Sequence, residues 1–317
     1  MQLLFTECKE DDAEFFRISF PECDVVTTAE TLAHVSDVSD VEVLSVQVHS
    51  HIDRKELERM PKLRLLVTRS TGTDHVDLQA AAERGIEVHN IPDYGAQTVA
   101  EHTLLLLLAV ARRLHEAIAA TRAGRFELTG LLGSDLAGKT TVVVGVGMIG
   151  ERFARMAQAL GMRVLGVDPI QRKEVGIGYV QLSEALPQAD ALVLCCPLTE
   201  ATRHLIGAAE FKRLKHGALL VNTARGAVVD SESLLQALNE GVVALAGLDV
   251  LEHEAVLRGS VPAQAHEERR VAAGRALMSH PRVIVTPHMA FFTREAFIRL
   301  REATARIIRE HLARMPA

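Results

Sequence analysis

Short apolar runs alternate along the chain with stretches whose apolar residues recur at helical spacing. In the first third the runs fall at 3–5, 41–48, 63–67 and 86–88. Helical candidates at 53–60 and 76–84 lie between them, with Gly85 placed as a helix C-cap. From 98 to about 120 the pattern predicts one strong helix, opened by a capping box of Thr98 and Glu101. Leucine on nearly all of its sides predicts burial between layers, and its position marks a domain start and a hinge. Further runs follow at 141–144, 162–167, 191–195, 218–221, 244–248 and 283–285. Helical stretches separate most of them, as in a doubly wound parallel sheet. A partly charged excursion at 256–279 interrupts the pattern, either as a helix over the surface or as a subunit contact. An amphipathic stretch from 291 onward can return to the first unit.

The predicted fold class is therefore α/β, with two Rossmann-like or flavodoxin-like parallel-sheet domains. The larger, 98–288, is inserted into a discontinuous domain formed by 1–97 and 289–317. A length of 317 residues gives each domain room for its own core.

Positions 141–150, TVVVGVGMIG, join a β-branched run to a GxGxxG turn at Gly145, Gly147 and Gly150. The first glycine serves a tight turn, the second lets backbone approach a pyrophosphate, and the third lets helix and strand pack closely. The next predicted strand ends at Asp168, eighteen residues beyond Gly150, where a carboxylate reaches ribose hydroxyls. That acid favours NAD over NADP, because it repels a 2′-phosphate; Arg172 and Lys173 nearby soften the preference.

Composition narrows the classes further. With 48% hydrophobic and 24% charged residues the chain is globular, and its net charge of −6 argues against nucleic-acid or anionic-membrane partners. The four cysteines, Cys8, Cys23, Cys195 and Cys196, show no CxxC spacing. The N-terminus has no signal-peptide pattern, and no apolar run approaches a membrane span. A reduced, cytoplasmic protein is expected. A metal site is not expected: His253–Glu254 and His266–Glu267 begin like HExxH, but Leu257 and Arg270 stand where the second histidine belongs. GxSxG is absent.

Three ionisable residues follow three predicted strands: Arg225 in NTARG, Glu254 in LDVLEHE and His288 in TPH. Strand ends of an open parallel sheet face one crevice, so these residues are expected to converge beside a nicotinamide. There arginine can hold a carboxylate or polarise a carbonyl, histidine can exchange a proton, and glutamate can hold the imidazolium.

The order VVVGVGMIG, VDP, CCPLTEAT, VNTARG, LDVLEHE and TPHMAFFT resembles the D-isomer-specific 2-hydroxyacid dehydrogenase family along essentially the whole chain, and most its D-lactate dehydrogenase branch. The resemblance implies a catalytic set of Arg225, Glu254 and His288, with His288 the proton donor. Beyond the three glycines, it implies cofactor contacts at Met148, Ile149, Asp168, Cys196, Pro197, Thr202, Thr223, Ala224, Arg225, Asp249 and His288. For the substrate it implies Ser70, Thr71 and Gly72 on the carboxylate through backbone N–H groups. Tyr94, Arg225, His288 and Phe291 would complete the pocket. The expected reaction is NAD-dependent interconversion of a small 2-oxo acid and a D-2-hydroxy acid, pyruvate and D-lactate first, in a homodimer joined through the cofactor domains. A non-catalytic, NAD(H)-sensing regulator of the same fold is the alternative. Cys195–Cys196 departs from the more usual His-Val type pair at that place.

Overall fold

The computed structural model describes residues 1–172 and 176–314; Lys173, one of the two cations noted near Asp168, lies outside them. The chain divides into two compact units, Met1–Gly95 with Phe292–Ala317, and Ala96–Phe291.

The first unit is built on five parallel strands: β1 (Gln2–Phe5), β2 (Asp24–Thr27), β3 (Val41–Val46), β4 (Leu65–Thr68) and β5 (Glu87–His89). Their order is β2-β1-β3-β4-β5. Leu4, Leu44 and Leu66 bury one face, and Phe5 stacks on Phe16 of the helix Glu10–Ser19, with ring centroids 4.1 Å apart. Each such fully buried side chain contributes about 1.5–3 kcal/mol. The C-terminal helix Arg294–Arg314 packs on β4 and on Glu10–Ser19.

The second unit holds seven parallel strands: β6 (Thr140–Val144), β7 (Arg163–Val167), β8 (Gly178–Tyr179), β9 (Ala191–Leu194), β10 (Ala218–Asn222), β11 (Val243–Leu248) and β12 (Val283–Val285). Their order is β12-β11-β10-β9-β6-β7-β8. The chain runs outward from β6 to β8 and returns to the other side of β6 at β9. The crevice of this sheet therefore opens between the ends of β6 and β9. Val142, Val143 and Val144 are buried, as a run covered on both faces requires.

Several expectations need correction. The leucine-rich segment is two helices, Ala96–Ala111 and Leu114–Arg122, broken where Arg113 takes a left-handed backbone at φ 50°. Thr98 lies inside the first helix, so it is no cap, and Glu101 accepts a hydrogen bond from Gln97 instead. Nor is this helix enclosed on all sides: Leu106, Leu107 and Val110 are buried, while Leu105 and Leu108 are exposed. The excursion is resolved as a helix, Glu268–Ser279, that buries Val271, Ala273 and Leu277 and packs on the helix Ser231–Asn239 and on β12. β2 and β8 escape the hydrophobic pattern because they are short edge strands with little fully buried surface.

Candidate active site

At the end of β6 the backbone turns through Gly145, at φ 88°, and enters the helix Met148–Ala159 with Gly147 as N-cap. Steric demands differ among the three glycines. A Cβ on Gly145 would lie 2.5 Å from the Cys196 nitrogen, and one on Gly150 would lie 2.0 Å from the Gly145 carbonyl oxygen. One on Gly147 would meet nothing within 4 Å. Gly145 thus lets the turn close against the loop after β9, Gly150 lets the helix close on the turn itself, and Gly147 leaves open space in front of a helix N-terminus. A pyrophosphate needs that space, and the helix supplies N–H donors to it.

Asp168, one residue past β7, fixes the other wall. Its two carboxylate oxygens accept from the backbone N–H groups of Val146 (2.7 Å) and Ile170 (2.7 Å), which ties it to the glycine turn. These residues fit an adenine dinucleotide without a 2′-phosphate. Met148 and Ile149 begin the helix behind the turn. Pro197 and Thr202 are joined by a 2.6 Å bond from the Thr202 hydroxyl to the Pro197 carbonyl oxygen. Burial pushes the Cys196 thiol up to about 11 and the Cys195 thiol up to about 12, so both are neutral thiols at physiological pH.

After β10 the turn is shaped by Asn222, which sequence reasoning passed over. Its amide oxygen accepts from Ala224 N–H (3.0 Å) and its amide nitrogen donates to the Arg225 carbonyl oxygen (3.0 Å). Thr223 is held by the Thr103 hydroxyl at 2.7 Å. The position of Asn222 inside NTARG was the available signal.

After β11 and β12 the structure brings Glu254 and His288 together: Nδ1 of the imidazole lies 2.8 Å from Glu254 Oε2. A carboxylate only accepts, so Nδ1 carries the proton and Nε2 is the nitrogen left for a reactant. Arg258 also donates to Oε2 at 3.0 Å, and Phe291 meets the imidazole edge-on, 6.2 Å between centroids. Both partners are half-buried, with side-chain exposures of 31% for His288 and 25% for Glu254.

Asp249, expected as a cofactor contact, is 1% exposed and organises the loop that carries His288. It accepts from the Thr286 hydroxyl (2.6 Å) and from the N–H groups of Met289 (2.9 Å) and Ala290 (2.9 Å); its own carbonyl oxygen accepts from His288 N–H. Burial alone would raise its carboxyl. The hydrogen bonds from His102, Thr286, Met289 and Ala290 outweigh that and hold it below its ordinary range. His288 itself adopts a left-handed backbone, φ 54°, which this collar of bonds sustains.

Since all seven strands are parallel, the glycine turn, Asp168, Arg225, Glu254 and His288 all follow strand ends at one edge of the sheet. A family model, D-isomer specific 2-hydroxyacid dehydrogenase, NAD binding domain, matches residues 104–290. The chain belongs to this family. It is accordingly an NAD-dependent D-2-hydroxyacid dehydrogenase, reducing 2-oxo acids to D-2-hydroxy acids. It is 37% identical over 279 residues to a glyoxylate reductase of Korarchaeum cryptofilum, covering 86% of this chain and 80% of the relative. To a D-lactate dehydrogenase of Escherichia coli it is 34% identical over 268 residues, covering 83% and 81%. The solved D-lactate dehydrogenase of Aquifex aeolicus, complexed with NAD and lactic acid, superposes with a TM-score of 0.89. That match has 32% identity and covers 98% of this chain and 95% of the other.

In the first unit, the family's remaining expected residues follow β4 and β5. The Ser70 hydroxyl donates to the Gly72 carbonyl oxygen at 2.5 Å and shares a 2.6 Å contact with Thr68. The Ser70 N–H is already donated to the Thr68 carbonyl oxygen, so Thr71 and Gly72 remain the amides to consider for a carboxylate. Tyr94 is buried, with its carbonyl oxygen held by Arg299 at 2.7 Å.

Proposed function

We propose that this dehydrogenase reduces a small 2-oxo acid, pyruvate in the first instance, to its D-2-hydroxy acid, with His288 as the proton donor. The observation that carries the reading is the 2.8 Å contact between His288 Nδ1 and Glu254 Oε2, on loops that follow strand ends at the same edge of the sheet as the glycine turn. NAD(H), when bound, supplies hydride exchange at the substrate C2. His288 Nε2 delivers the proton to the substrate oxygen, and Glu254 stabilises the imidazolium and fixes its orientation. Arg225 holds the oxo acid through its carboxylate and carbonyl, and Thr71 and Gly72 offer amides to that carboxylate. Ser70, Tyr94 and Phe291 are the further residues that the family resemblance assigns to the substrate.

The test is loss of NADH absorbance with pyruvate, glyoxylate, hydroxypyruvate, phenylpyruvate and 2-oxoisocaproate. Pyruvate is expected to give the highest kcat/KM. Changing His288→Ala is expected to lower kcat by about 10²- to 10⁴-fold while NADH still binds. NADH binding without turnover of any oxo acid would instead establish the regulatory alternative.

A further inference from the structure

A buried polar pair that the proposed mechanism does not use sits behind the catalytic loops. Glu252, with its side chain 3% exposed, accepts through Oε1 from His204 Nε2 at 2.6 Å and through Oε2 from the Ser231 N–H at 3.1 Å. The three partners come from three different strand ends. His204 closes the turn after β9 that contains Pro197 and Thr202. Ser231 opens the helix that follows the Arg225 turn, and Glu252 lies two residues before Glu254.

Backbone contacts lock the same three loops. His204 N–H donates to the Ala227 carbonyl oxygen at 2.7 Å and Ile206 N–H to that of Val228 at 3.1 Å. A Cβ on Gly226 would stand 2.0 Å from the Leu251 carbonyl carbon, so the turn carrying Arg225 is pressed onto the backbone leading to Glu254. His204 takes a left-handed backbone, φ 52°, to reach Glu252.

Asp230 completes a group whose ligand-type atoms lie within 4.8 Å of one another. The surroundings do not suit a cation. Asp230 caps the next helix through Ser233 N–H and its hydroxyl, and the Arg270 guanidinium lies 3.7 Å from its other oxygen.

We propose that Glu252 and His204 are positioning residues, a buried latch that sets the cofactor-side turn and the Arg225 turn in register with the loop delivering Glu254 to His288. The inference rests on the proposed role of Glu254. Loosening the latch displaces Glu254 on one side and the Pro197–Thr202 turn on the other. Loss is therefore expected in kcat and in NADH affinity together, with KM for the oxo acid rising as the Arg225 turn shifts.

Glu252→Ala and His204→Ala are each expected to lower kcat about tenfold, to weaken NADH binding severalfold and to raise KM for the oxo acid through the displaced Arg225 turn. The double variant is expected to lose no more than the worse single, because both remove one interaction. Glu252→Gln, which keeps an acceptor for Ser231 and a polar partner for His204, is expected to recover most of both losses. If Glu252→Ala leaves the Ser231 amide unpaired and fails to fold, His204→Ala opens the pair from its half-buried side and gives the same readout. Single variants with a lowered melting temperature but unchanged kcat and NADH affinity would overturn the proposal. So would multiplicative losses in the double variant, or a melting temperature of the unaltered protein that falls with EDTA and recovers with zinc. Should Glu254→Gln and His288→Ala leave kcat unchanged, the catalytic reading fails on its own, and NADH affinity across the latch variants still decides the coupling.

Discussion

At the scale of single residues, the glycine motif separates two kinds of constraint that one sequence pattern conceals. Gly150 is required by packing, since any Cβ would enter the Gly145 carbonyl oxygen; Gly147 is required only by what must approach it. Gly150→Ala is therefore expected to destabilise the protein by about 1–3 kcal/mol, read as a lower denaturation midpoint. Gly147→Ala, with open space around its Cβ and an ordinary φ of −81°, is expected to keep the midpoint and lose NADH affinity about tenfold or more by fluorescence titration. Equal effects of the two on stability would contradict this assignment. Asp249 carries a second role: the family resemblance implies it as a cofactor contact, and its surroundings also make it the anchor of the His288 turn. Nothing in LDV distinguishes the roles, because the bonds come from residues about forty positions downstream.

Elements depend on a few charged contacts where sequence pattern is weakest. β5 is three residues long, and none of its residues is fully buried. Glu87 within it is bonded by His89 at 2.6 Å, His311 at 2.9 Å and Arg314 at 2.9 Å, the last two on the C-terminal helix. Hydrogen bonds from His89 and Arg314, with that of His311, overcome burial and hold the Glu87 carboxyl down at about 2, against 4.5 for an ordinary glutamate. A folded-state value below the unfolded one stabilises the fold fully above the unfolded value. That contribution disappears as pH falls from 4.5 toward 2. Thermal unfolding across this window should show a falling midpoint, and Glu87→Gln should flatten part of the fall. A variant with the unaltered pH slope would remove Glu87 from the account. The same scale explains the helix break at Arg113. Apolar periodicity runs on through it, while a left-handed residue there ends one helix and starts the next.

Across the whole molecule, the second unit displays more apolar surface than its own core requires. Leu105 and Leu108 are exposed on one helix, Leu114 and Ile118 on the next, and Phe126, Leu128 and Leu132 are 89–94% exposed. Large apolar side chains clustered in one stretch mark an interaction surface, whereas singly scattered ones are ordinary. The homodimer joined through the cofactor domains that the family resemblance implies would cover this stretch. Light scattering after gel filtration is expected to give twice the chain mass, and Leu105→Glu combined with Phe126→Ser is expected to halve it. An unaltered protein that runs as a monomer at micromolar concentration would contradict that expectation. Among the described residues no helix is long and apolar enough to cross a membrane.

The sequence by itself determined the α/β class, the βαβ alternation and the dinucleotide turn. Each is written in local spacing: period-two or continuous apolar runs, helical repeats, and glycines at fixed offsets before an acid. Only the tertiary structure decided which glycine faces a neighbour and which faces open space, and that Asp249 anchors a turn. It also placed His204, Asn222 and Glu252 behind the catalytic loops, and left one face of a leucine-rich helix uncovered. Those outcomes depend on which strand ends become neighbours, and contacts between residues tens of positions apart leave no periodicity in the chain to be read.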